Sequence, residues 1–425
     1  MKIVPYDAST GWRTGTPSID GNRMVIGAYG ATVGTTNDAG KLYVYERDGT
    51  GWTLVQEITQ DPPTSVDGFP GQPVVYADTI FAGARTSSQG QGQVYVYQYN
   101  GTEFELAQIL TADDGTDRDG FGATVIPTPD TLYVSGGGVA HINSVYIFEK
   151  VAGLWTQTGT LEPTNGQMGG ALVVKGDVMV GAAFPEDAVH VFERIGGVWT
   201  ERDTIYPPYT PPAGHPISFG IGLDLQGDTL AVGARNAEIN GNANGAVYIY
   251  QRTANGWDYV QLVRANDGVP TDRFGCAVSI SGTRLAVGAM EEAGTPAIND
   301  SGSIYIFEYD GVMWQQAVKL RPQLPSEDAT FGEAVCLLTP DELLTSASGD
   351  SEAAMDAGAG YIFDFTELTC SIADLDASGA LNLDDVNLFA GAFVSGDLLA
   401  DLDDSGTLNL DDVNLFAQAF IAGCP

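Results

Sequence analysis

The feature that most constrains the fold of this chain is a short strand-like segment that recurs seven times. Each copy has an aromatic residue or a histidine, then an aliphatic residue, then a second aromatic residue. The copies begin at Tyr43, Tyr95, Tyr146, His190, Tyr248, Tyr305 and Tyr361. The spacing (361 − 43)/6 gives a period of about 53 residues. Repeats of this length are typical of propeller blades and solenoid coils, whose single units cannot bury their apolar faces alone.

One unit of the repeat is clearest between Arg273 and Leu320. Three short apolar runs rich in Val, Ile and Tyr are separated by a tight turn at residues 281–283 and by one long polar loop. A fourth run, Trp314–Leu320, follows a turn at residues 310–311. The runs are too short for helices and have the composition of β-strands. Each unit is therefore predicted to be a four-stranded antiparallel sheet.

The seventh unit lacks its fourth strand. In the other six units this strand begins at an aromatic residue, namely Trp52, Phe104, Trp155, Trp199, Trp257 or Trp314. Residues 1–6 (MKIVPY) precede the first unit and could supply the missing strand, which would close a ring and remove two exposed sheet edges. We therefore predict an all-β, seven-bladed β-propeller of four-stranded antiparallel blades over residues 1–369, in preference to an open solenoid.

The acidic composition limits the possible partners. A formal net charge of −37 makes nucleic acid and anionic membrane surfaces unsuitable. No apolar run approaches about 18 residues, so no membrane span is predicted. Residues 1–10 contain no signal-peptide core. We expect a secreted or cell-surface protein whose signal peptide is not part of this sequence.

The chain changes character near Cys370, where a helical duplication replaces the β-rich repeat. The segments Asp374–Phe393 and Asp401–Phe420 each contain an Asp-x-Asp-x-Ser-Gly loop followed by an amphipathic helix. Calcium loops draw oxygen ligands from positions 1, 3, 5, 7, 9 and 12, with Gly at position 6. The predicted ligands are Asp374, Asp376, Ser378, the Ala380 carbonyl, Asn382 and Asp385 in the first loop, and Asp401, Asp403, Ser405, the Thr407 carbonyl, Asn409 and Asp412 in the second. Residues 370–425 are thus predicted to bind two calcium ions, the alternative being an acidic solvated linker.

This duplication resembles a type I dockerin, a paired calcium module of secreted carbohydrate-active complexes. The resemblance covers Ser371–Pro425 and includes Asp at position 12 of both loops. It implies a small α-helical EF-hand domain that docks onto a cohesin-like or other protein partner. At positions where dockerins often contact cohesin through Ser or Thr, this chain has Leu383 and Asp384 in one copy and Leu410 and Asp411 in the other.

The four cysteines fall into two pairs. Cys370 and Cys424 lie just outside the duplication and are predicted to form a disulfide, which is the more common state of paired cysteines in exported proteins. Such a bond would add about 4 kcal/mol through the lost entropy of the unfolded chain. Cys276 and Cys336 fall on the first strands of neighbouring units and are predicted to be small buried residues.

The first strands of four units begin with Phe-Gly, at Phe121, Phe219, Phe274 and Phe331, and most second strands end with Gly-Ala. This combination resembles the FG-GAP repeat, known from the integrin α-subunit propeller and from bacterial exported proteins. The motif residues are expected to be structural, with Gly at close backbone approaches and Phe between blades. The turns between first and second strands are too short for the calcium loops of integrin blades, so the propeller is predicted to lack them.

Loop lengths suggest which face of the ring binds a ligand. Turns from first to second and from third to fourth strand share one face and are tight, whereas the other connections share the opposite face and are long. We call these the tight-turn face and the long-loop face. Long loops on a rigid scaffold are the usual place for binding. In the loop Tyr206–Ser218, Tyr206, Tyr209 and His215 are candidate contacts to a sugar or peptide, and a rigid proline-rich spacer is the alternative.

No catalytic motif is evident. The three histidines have no recognisable Ser, Cys or metal-ligand partner, and Glu291-Glu292 is interpreted as a solvated pair. The favoured hypothesis is an exported binding or adhesion protein, whose propeller binds a glycan or protein and whose calcium module docks onto a partner. The alternative is a carbohydrate-active enzyme, a polysaccharide lyase or hydrolase, since an active site assembled from several blades would leave no local motif. A scaffold component without a small ligand is a third possibility.

Overall fold

The computed structural model describes residues 1–48, 51–65, 68–114, 120–136, 144–183, 186–209, 216–238, 244–293, 300–322, 326–365, 383–395, 400, 402 and 407–422. The chain divides into two compact units. One comprises Met1–Leu337 with Leu344–Ile362, and the other comprises Leu338–Leu343 with Phe363–Pro425.

The described strands form seven four-stranded antiparallel sheets, as predicted. Blade one comprises β2 (Ser18–Asp20), β3 (Arg23–Ala28), β4 (Lys41–Asp48) and β5 (Gly51–Ile58). Blade two comprises β6 (Val74–Tyr76), β7 (Thr79–Ala84), β8 (Gln93–Tyr99) and β9 (Phe104–Leu110). Blade three comprises β10 (Thr124–Pro127), β11 (Thr131–Ser135), β12 (Val145–Val151) and β13 (Leu154–Leu161). Blade four comprises β14 (Leu172–Lys175), β15 (Val178–Ala183), β16 (Ala188–Ile195) and β17 (Val198–Ile205). Blade five comprises β18 (Phe219–Gln226), β19 (Thr229–Ala234), β20 (Ala246–Thr253) and β21 (Gly256–Val263). Blade six comprises β22 (Phe274–Ser281), β23 (Arg284–Ala289), β24 (Ser303–Tyr309) and β25 (Trp314–Leu320).

The seventh blade is completed by the N-terminal strand. It comprises β26 (Val335–Thr339), β27 (Glu342–Ala347), β28 (Ala359–Asp364) and β1 (Lys2–Ile3). Strand β1 pairs antiparallel with β28, with Lys2 opposite Tyr361 and Ile3 opposite Gly360. The Ile362 amide donates to the Met1 carbonyl at 2.8 Å. The predicted ring closure is confirmed. Strand β1 is shorter than the predicted residues 1–6, since only Lys2 and Ile3 pair with β28.

The Phe-Gly and Gly-Ala motifs hold neighbouring blades together. The phenylalanines of the Phe-Gly motifs are essentially inaccessible to solvent and fill the space between blades. A Cβ atom on Gly233 of the fifth blade would overlap the carbonyl oxygen of Gly275 in the sixth, and Gly288 stands in the same relation to Gly332. Only glycine permits this backbone approach, because any larger side chain would push the blades apart.

Two further regularities support the ring. Blades one to six each carry a β-bulge between the third and fourth strands, beginning after Val44, Val96, Ile147, Val191, Ile249 and Ile306. In three blades a fourth-strand glutamine makes two hydrogen bonds with the backbone N–H and C=O of an aromatic residue in the next blade, pairing Gln56 with Phe104, Gln108 with Trp155 and Gln261 with Trp314. These side chains replace backbone pairing between blades that share no strand.

In the second unit the described residues of the duplication include two helices, α2 (Leu383–Ser395) and α3 (Leu410–Ala422). The four-residue helix α1 (Ser87–Gly90) lies in the propeller. Phe389 and Phe416 occupy equivalent positions of the two copies, and their rings stack with centroids 4.2 Å apart and planes 13° apart. Ala392 and Ala400 are buried beside them. The small apolar core is therefore built from equivalent residues of both copies.

Candidate functional site

The described residues of the predicted loop site, Tyr206 and Tyr209, lie in different surroundings. Tyr206 is 61% exposed, and its carbonyl accepts a hydrogen bond from the Tyr250 hydroxyl at 3.1 Å. Tyr209 is partly buried and packs against the core between the fourth and fifth blades, with its ring centroid 6.4 Å from that of Tyr248. His215 lies outside the described residues. Tyr209 therefore serves packing, because its ring gains more from burial than from exposure.

On the long-loop side, three blades share a triad of tyrosine, aspartate and lysine. The third-strand tyrosine donates its hydroxyl to an aspartate that also pairs with a lysine. The triads are Tyr43, Asp7 and Lys41; Tyr305, Asp267 and Lys319; and Tyr361, Asp350 and Lys2. Burial, followed by the aspartate, raises the pKa of each tyrosine well above its ordinary range. Each of these hydroxyls therefore joins a third strand to an aspartate of a neighbouring connection.

The interpretation of Glu291-Glu292 as a solvated pair was wrong for Glu292. Glu291 pairs with Arg273 at 2.9 Å, but Glu292 is only 6% exposed and contacts Lys319 at 3.0 Å. The buried lysine requires counter-charges, which draws Glu292 inward. Residue Asp272 lies in the same cluster and is 2% exposed. Its pKa is raised to about 7, first by burial and then by the charge of Glu292.

His190, Cys276 and Cys336 are three further titratable residues of the propeller. His190 is 3% exposed, and its Nδ1 lies 2.9 Å from Glu201 and 3.2 Å from Thr204. Cys276 and Cys336 are free thiols, and burial raises their pKa values to about 12 and about 11. In the part of the chain that the structure describes, no three His, Cys, Asp or Glu side chains are arranged to hold a metal ion.

Most of the predicted calcium ligands lie outside the described residues: Asp374, Asp376, Ser378, Ala380, Asn382, Asp401, Asp403 and Ser405, together with Cys370 and Cys424 and the side chain of Asp385. Among the described residues of the second loop, Asp412 is fully buried. Its Oδ1 accepts the Leu402 amide at 2.9 Å and its Oδ2 accepts the Asn409 amide at 2.8 Å. The Asn409 side-chain amide donates to the Thr407 carbonyl at 3.0 Å.

These contacts tie the Asp412 carboxyl group to both ends of the second loop. The bond from the Asn409 amide to Asp412 is one half of a capping box at the start of α3, and the bond from Leu402 joins the beginning of the loop to its end. Asp412 and the Thr407 carbonyl are oxygen donors of the kind that calcium prefers. The described residues therefore fit the calcium loop that the sequence predicts.

A groove that the sequence did not reveal lies on the tight-turn face between the fifth and sixth blades. It has a volume of about 860 Å³ and is bordered by Gln226, Thr229, Gln251, Tyr309 and Trp314 among others. None of the described residues that line it carries a charge. Parts of the long loops on the opposite face lie outside the described residues, so a binding role for that face remains a prediction.

The comparisons with known proteins agree with the fold. A family model described as FG-GAP repeat matches residues 217–250 and 257–307, which lie in the fifth and sixth blades. No curated protein matches this chain. Among the described residues, no helix is both long and apolar enough to cross a lipid bilayer.

Several solved structures share the architecture. The periplasmic gluconolactonase PpgL of Pseudomonas aeruginosa is 15% identical with a TM-score of 0.51, over 73% of this chain and 86% of that one. A proposed 6-phosphogluconolactonase of Bacteroides fragilis is 14% identical with a TM-score of 0.50, over 73% and 84%. The WD40 repeats of RRP9 are 11% identical with a TM-score of 0.53, over 86% and 99%. At such identities the likeness extends to the propeller fold alone.

Proposed function

We propose that the chain is an exported binding or adhesion protein in which the propeller holds a glycan or protein ligand and the C-terminal module docks, with calcium bound, onto a second protein. The propeller architecture and the FG-GAP match, a repeat typical of extracellular proteins, support the first part. The hydroxyls of Tyr43, Tyr305 and Tyr361 and the imidazole of His190 make structural hydrogen bonds, which favours binding over catalysis.

The buried carboxylate of Asp412 is the observation that carries the calcium proposal. Its two oxygens already join the beginning and end of the second loop. In the proposed holo form, calcium is held by Asp374, Asp376, Ser378, Ala380, Asn382 and Asp385 in one loop and by Asp401, Asp403, Ser405, Thr407, Asn409 and Asp412 in the other. The ion supplies positive charge that offsets repulsion among the clustered aspartates.

The helices also offer apolar side chains to a partner. Leu388 is 39% exposed, Val394 is 87% exposed and Leu410 is 71% exposed. Exposed apolar residues on a small charged domain favour a protein partner over a small molecule. The absence of the usual Ser and Thr contacts points to a cohesin-like partner with a more apolar docking surface.

Calorimetric titration of the full chain with calcium tests the module. We expect two ions per chain, a calcium-dependent rise in helical circular dichroism, and loss of one ion in Asp412→Ala. The exposed Asp258→Asn in the propeller is the control for removal of one negative charge. A chain that binds no calcium after treatment with EDTA and dialysis would disprove the proposal for this module.

The docking and the propeller functions are tested separately. Surface plasmon resonance against a panel of cohesin modules should show binding in calcium that EDTA abolishes. For the propeller, a panel of polysaccharides is scored both for binding and for release of reducing or unsaturated ends. Saturable binding without product is expected, whereas product release would favour the carbohydrate-active enzyme.

A further inference from the structure

We propose that the groove on the tight-turn face between the fifth and sixth blades binds a neutral oligosaccharide chain. The inference rests on the proposed binding function of the propeller and assigns the ligand to the face opposite the one suggested by loop length. It is carried by a comparison between two crevices of the same ring that occupy equivalent positions and differ in charge.

The equivalent crevice between the first and second blades is filled by its own charges. It has a volume of about 430 Å³, half that of the groove, and is bordered by Asp20, Arg23, Glu46 and Asp78 among others. Arg23 lies 3.4 Å from Glu46 and 2.5 Å from Asp78. Its guanidinium also lies over the ring of Tyr99, 3.9 Å from the centroid. The charged groups of this crevice therefore bind one another and do not require a ligand.

In the groove the same positions are neutral. Counting from the Gly-Ala of the second strands, Gln226 replaces Asp20 and Thr229 replaces Arg23. Counting along the third strands, Gln251 replaces Glu46. Both crevices are subject to the same folding constraints, so the fold does not demand the exchange. A charged ligand would find no counter-charge in the groove, which selects for an uncharged one.

The exchange of Arg23 for Thr229 also uncovers an aromatic platform. Tyr309 of the sixth blade is the equivalent of Tyr99 and is 40% exposed. The ring of Trp314 supports it, with centroids 5.3 Å apart. In four other blades a cation covers the ring at the position of Trp314: Arg47 over Trp52, Arg23 over Phe104, Lys150 over Trp155 and Arg194 over Trp199. Within the described part of the chain, no cation lies over Tyr309 or Trp314, so the platform is open to a ligand.

The polar groups of the groove suit a ligand rich in hydroxyls. The Gln251 carbonyl oxygen accepts the Thr229 hydroxyl at 3.2 Å, and among the described residues its amide nitrogen makes no hydrogen bond. In the second blade the equivalent Gln98 uses that nitrogen on the Asp78 carbonyl at 2.7 Å. The side chain of Gln226 is exposed and likewise makes no hydrogen bond to a described residue. These amides can both donate to and accept from a neutral partner.

A sugar chain uses both kinds of surface. Its ring faces carry apolar C–H groups that pack on an aromatic side chain, and its hydroxyls pair with amides. The exposed apolar neighbours Val260, Val312 and Met313 extend the platform. An entirely apolar ligand would leave the amides without partners at a cost of about 1–3 kcal/mol each. The volume of about 860 Å³ lies within the range of roughly 300–1,000 Å³ found for ligand sites.

The test uses calorimetric titration of the full chain with neutral hexasaccharides of glucose, xylose and mannose, and with hexagalacturonate as the charged contrast, each at about 1 mM, where even a complex of ~4 kcal/mol is half formed. We expect at least one neutral chain to bind and the charged one not to bind. Tyr309→Ala should weaken binding at least tenfold. Thr229→Arg combined with Gln251→Glu rebuilds the charges of the first crevice and should abolish binding, with the fold checked by tryptophan fluorescence.

The matched control is Tyr29→Ala, which removes a tyrosine of the long-loop face that is 38% exposed and should leave affinity unchanged. Loss of binding in that variant but not in Tyr309→Ala would overturn the groove proposal and leave the binding function of the propeller intact. Preference for hexagalacturonate would overturn the choice of a neutral sugar. So would preference for a peptide whose binding is lost in Thr229→Arg. Failure of all neutral chains to bind also overturns it, whereas release of product would overturn the proposed non-catalytic function.

Discussion

Replacing Asp272 by asparagine should stabilise the propeller at alkaline pH and do so less as the pH falls. Asp272 is buried beside Glu292, Asp267 and Lys319, and its Oδ2 accepts the Val269 amide at 2.7 Å. Its pKa is raised from 3.8 to about 7, first by burial and then by Glu292. Ionising this side chain in the folded protein therefore opposes its burial and the neighbouring negative charge, which the neutral amide of asparagine avoids.

The sign and size follow from proton linkage. Between pH 4 and 7 the folded protein holds a proton on Asp272 that the unfolded chain has released, so stability falls as the pH rises through this window. Below about pH 4 both states are protonated, and the contribution is fully present. A pKa difference of about 3 at ~1.4 kcal/mol for each pH unit gives an upper limit of about 4 kcal/mol. Asparagine at position 272 does not ionise, so the fall in stability with rising pH is absent in this variant. Its side-chain amide is, however, a weaker acceptor for the backbone N–H of Val269.

Urea denaturation at pH 5 and pH 8, followed by tryptophan fluorescence, measures the effect. All six tryptophans lie between Trp12 and Trp314, so the signal reports on the propeller alone. We expect Asp272→Asn to gain about 1–3 kcal/mol relative to the wild type on going from pH 5 to pH 8. The exposed Asp258→Asn removes one charge outside the cluster and should show no such gain. A difference between Asp272→Asn and wild type that is the same at both pH values would refute the assignment of a raised pKa to Asp272.

Two further predictions concern contacts between and within blades. Gln261→Ala removes two hydrogen bonds to the backbone of Trp314, at 2.7 and 2.8 Å, and should lower the free energy of unfolding by about 1–3 kcal/mol in the same denaturation assay. Asp350→Ala leaves Lys2 and the Tyr361 hydroxyl without their shared carboxylate, so we expect faster amide hydrogen exchange at residues 2–3 and a loss of about 1–3 kcal/mol. Unchanged exchange there would show that the backbone pairing alone holds the ring closed.

The sequence was sufficient to predict the ring because its evidence is local and repeated. The period of the Tyr-aliphatic-aromatic segment predicted the blades. The seventh unit lacks a fourth strand, which predicted that residues 1–6 supply it. The Phe-Gly and Gly-Ala motifs predicted close packing between blades. Each of these inferences needs only short stretches of sequence, since strand alternation and turn composition act over a few residues.

The buried charge cluster around Lys319 could not be predicted in the same way, because its contacts join residues far apart in the sequence. Lys319 pairs with Asp267, 52 residues away, and Glu292 is drawn inward by the same lysine. Nothing local distinguishes the buried Glu292 from its partly exposed neighbour Glu291. The packing of Tyr209 against the core between the fourth and fifth blades has a related reason: a tyrosine in a proline-rich loop can pack inward as readily as outward, and the position of the adjacent blade decides which.

The repeat nevertheless contains a signal for function once the blades are superimposed by their motifs. Seven equivalent units fold under nearly the same constraints, so a side chain required by the fold should recur, whereas one selected for a ligand should depart from the pattern at a single interface. Tyr309 is a departure of this second kind, because its ring is uncovered whereas Arg23 lies over the equivalent Tyr99. The neutral pair Thr229 and Gln251 recurs in the second blade as Thr79 and Gln98, so the pair alone does not distinguish this interface. Loop length identified the other face, but length measures only the room available to a ligand. The uncovered ring of Tyr309 in a groove with an uncharged lining is the stronger argument, since it specifies what kind of ligand the groove can accept.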